Sequence, residues 1–334
     1  DAYNVAIGYN AGLSVSTGVN NVLVGGQAGD SLTTGSYNIA IGRLALATED
    51  ADGYNVAIGY AALNTQNAGA AAYNVAVGHL AGNAVTTGIQ NTLMGGLAGD
   101  ALTTGSYNTA IGYQAGDSIT DGNSNVLVGR GAGVAMTTQD EMVLIGNDAG
   151  AAINHDDADG TICIGYNSGA SITSAAGNTA VGYQCLDGTD DGALNTAVGY
   201  GSLSANCGNG NTVLGYHAGA DVTGALNTLI GHQAGKDTTA LTSGGSNICI
   251  GNNTRTSAAD SSNQIVIGID IAAAGDNDFA FGKSSNVVHN DFDTDAAWSR
   301  TSDIRKKRNI QEDKLGLEFI NKLSANFLFL TNAL

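Results

Sequence analysis

Asn4-Val-Ala-Ile-Gly8 is followed by Asn21-Val-Leu-Val-Gly25, Asn38-Ile-Ala-Ile-Gly42 and Asn55-Val-Ala-Ile-Gly59. The unit continues at Asn74, Asn91, Asn108 and Asn125 and passes through degenerate copies ending at Gly146 and Gly165. It then returns at Asn178, Asn195, Asn211, Asn227 and Asn247, and weaker copies end at Gly268 and Gly282. The closing glycines span 16 steps with a mean near 17 residues, and most steps are 17. A fixed period of this size marks a repeat architecture.

The three residues between asparagine and glycine are rich in Val and Ile and too few for a helix, so they read as a strand. Seventeen residues hold two short strands and two turns. Such units stack as coils of a parallel β-roll or solenoid, each pairing with the coil before and after. At about 4.8 Å per coil, 16 steps give a rod of roughly 77 Å. Three residues after the glycine sits a small side chain (Ala28, Ala45, Ala62, Ala98), and seven after it often an aliphatic one (Leu32, Val85, Leu102, Ile119). These positions read as the turn and the second strand.

Composition agrees. Of 334 residues, 49 are Gly and none is Pro, where about 5% Pro is usual. Proline would delete a ladder hydrogen bond in any interior coil. Charged residues make up 13% and apolar ones 43%, which excludes a disordered chain. No run of 18 apolar residues is present, so no membrane span is expected. Asp1 is not an initiator residue, which predicts further sequence before it. Residues 1–282 carry 23 acids and four bases, a net charge of −19, and residues 283–334 carry seven acids and eight bases. The acidic part should repel nucleic acid, whose binding needs Lys and Arg. The charge shift and the loss of the repeat divide the chain into a repeat domain (1–282), a linker or cap (283–301) and a basic, partly helical segment (302–334).

All three strand residues are apolar, whereas neighbouring side chains in a strand point to opposite faces. Both faces are therefore expected to be dry. A long apolar strip is not left in water. The middle column, Ala6, Leu23, Ala40, Ala57, Ala76, Leu93, Ala110 and Leu127, is accordingly assigned to the axis of an assembly of identical chains. Cys163 and Cys249 continue this column, a core position rather than a reactive one. The four cysteines show no CxxC spacing, and neither metal nor redox chemistry is indicated by them.

The pattern Asn-x-Val-Ala-Ile-Gly resembles the heads of trimeric autotransporter adhesins, which are left-handed parallel β-rolls packed as trimers. The coil here is a few residues longer than theirs. The resemblance covers residues 1–282 and implies a homotrimer. Near the other end, Ser302-Asp303-Ile304-Arg305-Lys306-Lys307-Arg308-Asn309-Ile310, followed by Leu315-Gly-Leu-Glu-Phe-Ile-Asn-Lys-Leu323, resembles the start of the intramolecular chaperone of phage tail fibres and endosialidase-type tailspikes. That resemblance implies trimer assembly and self-cleavage before Ser302, with Ser302 as nucleophile and Lys307 as its base. Two departures weigh against cleavage here: the segment is much shorter than the family domain, and the expected continuation is replaced by apolar Ser324-Ala-Asn-Phe-Leu-Phe-Leu330. The plainer role is a short helix, Gln311 to about Ser324, capping the trimer end.

Other features offer candidate binding residues. Tyr9, Tyr60, Tyr113, Tyr166, Tyr183, Tyr200 and Tyr216 follow closing glycines, and Tyr3, Tyr37, Tyr54, Tyr73 and Tyr107 precede the repeat asparagine. The first row could stack on sugar rings of a host glycan; the structural alternative is that both rows pack the junction between protomers. Acidic turns at 49–53, 156–160 and 190–192 could hold calcium, although none matches the full calcium-binding loop. Thr-Thr-Gly turns bear on ice binding, and His289 could meet its mates at an axis and hold a metal; a turn role and a surface role are the plainer readings. No catalytic constellation stands out in residues 1–282. The expectation is a non-enzymatic phage tail fibre on the virion, outside the cell. Its partners would be its own copies, other tail proteins and a host-surface glycan or protein. An adhesin head or a glycan-cleaving tailspike are the alternatives.

Overall fold

The computed structural model describes residues 3–51, 53–69, 71–236, 241–294 and the backbone of 299–300. The chain divides into two units, residues 1–299 and 300–334. The expected helix, Ser302 and Lys307 lie outside the described residues. Unit one is a parallel β-solenoid with seventeen strands, β1 (Val5–Ile7) to β17 (Asp278–Lys283), one per coil. Each strand pairs in parallel with the next, middle residue to middle residue: Ala6 with Leu23, Leu23 with Ala40, and onward to Val266 with Ala280. Steps of 19 and 20 residues leave this register intact, for Val56 still meets Val75 and Thr228 meets Ile248. The extra residues are therefore taken up in the turns.

The second strand expected in each coil does not form among the described residues, where the return path holds a single isolated bridge, Arg255 to Ala272. The return path is a run of turns in which alternate residues are left-handed, as at Asn10 (φ 54°), Gly12 (φ 61°), Leu44 (φ 61°) and Leu46 (φ 52°). This alternation sends every other N–H along the stack. Gly12 N–H donates to Ala28 C=O at 2.9 Å and Ser14 N–H to Asp30 C=O at 3.1 Å, whereas Ala11 and Leu13 bond back within their own turn. The backbone is satisfied coil to coil without an extended strand.

The interior holds the middle strand column, the small column and the aliphatic column. Leu23, Ala40, Ala57, Ala76, Leu93, Ala110 and Leu127 are buried within the single chain, together with Ala28, Ala45, Leu32 and Leu102. Their assignment to an assembly axis is corrected: they point into the solenoid's own core. Only Ala6, in the first coil, is exposed. The small size of half the column has a local cause. Where Leu46 or Leu63 lies four residues after the closing glycine, Ala40 or Ala57 is the middle residue. Where the middle residue is Leu23 or Leu93, that fourth position is Gly29 or Gly99. A Cβ on Gly29 would come 2.9 Å from Leu23 Cδ2. These coils keep their core volume by trading size between two positions, and where both are small, as at Ala76 with Gly82 and Ala110 with Gly116, leucines of the neighbouring coils, Leu93 and Leu127, fill the space.

The repeat asparagines form a second internal column. The N–H of Asn108 donates to Asn91 Oδ1 (2.9 Å), Asn108 Oδ1 accepts from Asn125 N–H (3.1 Å), and Asn108 Nδ2 donates to Gly122 C=O (2.8 Å). One side chain therefore links its own coil end to end and joins its neighbours. Beyond β17 the stack ends. The chain reverses through Ser284 and returns as β18 (Asn286–Asp291), antiparallel to β17. Residues 286–291 are thus a capping strand that covers the last parallel edge.

Candidate functional site

Since the middle residue points inward, the first and third strand residues point out. They form two columns, Val22, Ile39, Val56 and Val24, Ile41, Ile58 among them, half-buried or exposed along the stack. The residue before each asparagine and the residue after each closing glycine lie on the same side and form the two edges. The result is a four-column face running the length of the solenoid. Its large apolar side chains are exposed in coil after coil, including Met94, Ile111, Leu214, Ile267 and Phe281. Leu194 and Leu226, in the column before asparagine, are 68% and 65% exposed.

Tyrosines line the edges as stacked rings. In the column before asparagine, Tyr37, Tyr54 and Tyr73 stack with centroids 5.1 and 5.0 Å apart. In the column after glycine, Tyr166, Tyr183, Tyr200 and Tyr216 stack at 5.0, 4.8 and 5.5 Å, and His232 extends the row at 5.1 Å. Tyr60 is covered by His79 at 5.3 Å and by the Arg43 guanidinium at 5.7 Å. The spacing is that of adjacent strands, so within these rows each ring is covered by the ring of the next coil. This alters the expectation for sugar stacking: at Tyr60, Tyr183, Tyr200 and Tyr216 both faces are covered, leaving edges and hydroxyls exposed. Tyr113 leans over Gly96, where an added Cβ would come 3.5 Å from its ring. Tyr9, in the first coil, is the most exposed of the set.

Charge is nearly absent from the four columns. Of the 23 acids in residues 1–282, one, Glu141, lies in them; of the four bases, Arg43 and Arg130 do. Arg130 holds Asp148 at 3.1 Å with most of its side chain exposed. Among the described residues of 1–282 the other acids sit on the turns, apart from Asp278, which is buried in β17. Asp100 is pushed above the usual carboxylate range by burial, with Asp117 adding and His79 opposing. Among the described residues no three His, Cys, Asp or Glu side chains converge to hold a metal ion. The acidic turns serve local structure instead: Asp159 Oδ1 accepts from the Asp140 N–H at 2.9 Å, and Asp156 from the Thr138 hydroxyl. His289 Nδ1 lies 2.9 Å from Asp278 Oδ2 at the capping strand.

The threonine turns are also internally engaged. Thr33 Oγ1 donates to Asp50 C=O at 2.8 Å and Thr103 Oγ1 to Thr120 C=O at 2.9 Å, one coil on. Those hydroxyls bridge coils rather than form a free array. The four cysteines are buried. Burial pushes the Cys163 and Cys249 thiols up to about 12, so they stay protonated. What sequence reasoning missed was the outward pair of columns; the alternation itself carried that signal once the middle residue was placed inside. No helix among the described residues is long and apolar enough to cross a membrane. No family model, no curated protein and no solved structure matches the chain.

Proposed function

We propose that the chain is the shaft of a phage tail fibre: a homotrimeric, extracellular virion part that spaces and presents a host-binding surface and catalyses no reaction on its host. The observation that carries this reading is the parallel register held over sixteen turns, with one nearly charge-free face along its length. Such a stack bears load through serial backbone ladders and offers every coil the same lateral contact. The chaperone-like motif from Ser302 to Ile310 supports a fibre that assembles with help from its own C-terminal part. Three copies on one fibre would bind a host surface multivalently, so weak single contacts sum to firm attachment.

The motif Asn-x-Val-Ala-Ile-Gly favours a second reading, the head of a bacterial trimeric adhesin. Both readings place the molecule outside the cell with a surface receptor. The experiment is adsorption of the purified, labelled protein to a panel of intact bacteria and their isolated surface polysaccharides. Saturable binding to a subset of strains, with the polysaccharide left intact, is expected. Release of reducing sugar would replace the reading with a glycan-cleaving tailspike, and binding to no surface at all would remove it.

A further inference from the structure

We infer that copies of this chain pack side by side through the four-column face, parallel and in register, so that the column before asparagine on one copy meets the column after glycine on the next. The inference rests on the fibre reading and adds to it the surface used and the direction of the copies.

Three observations carry it. The face is large enough: seventeen strands at about 4.8 Å by six residues at about 3.3 Å give roughly 1,600 Å², against about 800 Å² per partner in a standard interface. It is also the side on which two solenoids, each of net charge −19 over residues 1–282, can meet without their acids meeting, because Glu141 is the one acid in its columns. Finally, the two edges are matched level by level. Rotation about an axis along the stack sets each coil's first edge against the second edge of the same coil on the neighbouring copy.

At that register Gly160, Gly177 and Gly210 meet Tyr166, Tyr183 and Tyr216, and Asn20 and Gln90 meet Gly26 and Gly96. Tyr37 meets Arg43 and Tyr73 meets His79. No level sets glycine against glycine, and none sets like charges together. Glu141 meets the edge bearing Asn147, with Arg130 one coil away. In a fully overlapped antiparallel pair, Glu141 of one copy would meet Glu141 of the other. The covered ring faces of the tyrosine rows suit this arrangement, since exposed ring edges and hydroxyls are what a lateral neighbour would contact.

The test is cysteine cross-linking of the full chain. Leu194 and Tyr200 lie on opposite edges of one coil, about 20 Å apart along a nearly extended segment, far beyond the 7 Å a disulfide can span. The double variant L194C/Y200C should therefore cross-link only between copies. Under mild oxidation it is expected to run on a non-reducing gel as covalent multimers, whereas L194C alone and Y200C alone stay as single chains. Multimers formed equally by either single variant would mean that like edges meet, and would overturn the parallel register. No cross-link in a preparation that light scattering shows to be oligomeric would overturn the choice of face, leaving the fibre reading standing. A wild-type chain that is a single copy in solution would remove both.

Discussion

At the residue scale the closing glycines are the least replaceable positions. Gly112 has φ 137°, and a Cβ there would lie 2.4 Å from the Gly129 carbonyl oxygen. Backbone strain and steric overlap together should make Gly112→Ala cost about 2–5 kcal/mol, read as a lower midpoint in urea than wild type. Asn108→Ala removes the three bonds of its side chain, those accepted from Asn125 N–H and Asn125 Nδ2 and the one donated to Gly122 C=O, and leaves these groups without that partner in the core. The expected loss is about 2–4 kcal/mol, and Asn108→Asp should do no better at neutral pH because a buried carboxylate cannot donate to Gly122.

The thiols set a pH dependence. Below about pH 9 both folded and unfolded states hold their protons, so Cys163 and Cys249 contribute no slope. Above it the unfolded chain releases protons that the folded interior keeps, and stability falls as pH rises toward about 12. The slope should approach 1.4 kcal/mol per pH unit for each thiol, roughly. The same burial predicts that a disulfide reagent at pH 8 labels none of the four cysteines until the chain is unfolded; rapid labelling of the native protein would contradict the core placement.

At the element scale the meaning of a strand rests on which residue faces in. Ala110→Glu places a carboxylate in the solenoid core and should abolish the β-sheet circular dichroism or leave a chain that melts far below wild type. Ile111→Glu, one residue on, points outward and should keep the β-sheet spectrum. The period, the strand and the parallel stack were legible because Asn-x-x-x-Gly fixes them in every coil. The direction of the strand was not, since Val5, Ala6 and Ile7 are all apolar and period-two alternation leaves no polar mark. The trade between Ala40 with Leu46 and Leu23 with Gly29 does mark the inner column, but it is visible only across two positions. The asparagine ladder was legible as a recurring residue and not as a bond network, because its partners lie 14 and 17 residues away.

The aromatic rows belong to the same scale. Tyr183 lies between Tyr166 and Tyr200 at 5.0 and 4.8 Å. Tyr183→Ala should cost about 0.5–1.5 kcal/mol per lost ring pair and weaken the near-ultraviolet dichroism of the stack. An unchanged near-ultraviolet signal would mean the rings are not coupled in solution.

At the scale of the whole solenoid unit, acidic turns and a strand face with little charge divide the surface into two kinds. The acidic turns push copies apart, and the strand face is where that repulsion is weakest. Sixteen steps in one register would make the proposed lateral contact cumulative, so that a small gain per coil adds up along the stack. The measurement closest to this claim is the solution mass of wild type and of Ile111→Glu by light scattering after size exclusion. A multiple of the chain mass for wild type, falling toward a single chain in the variant with the β-sheet spectrum unchanged, is the predicted result. A wild-type mass of one chain, or a variant that keeps the wild-type mass, would contradict it.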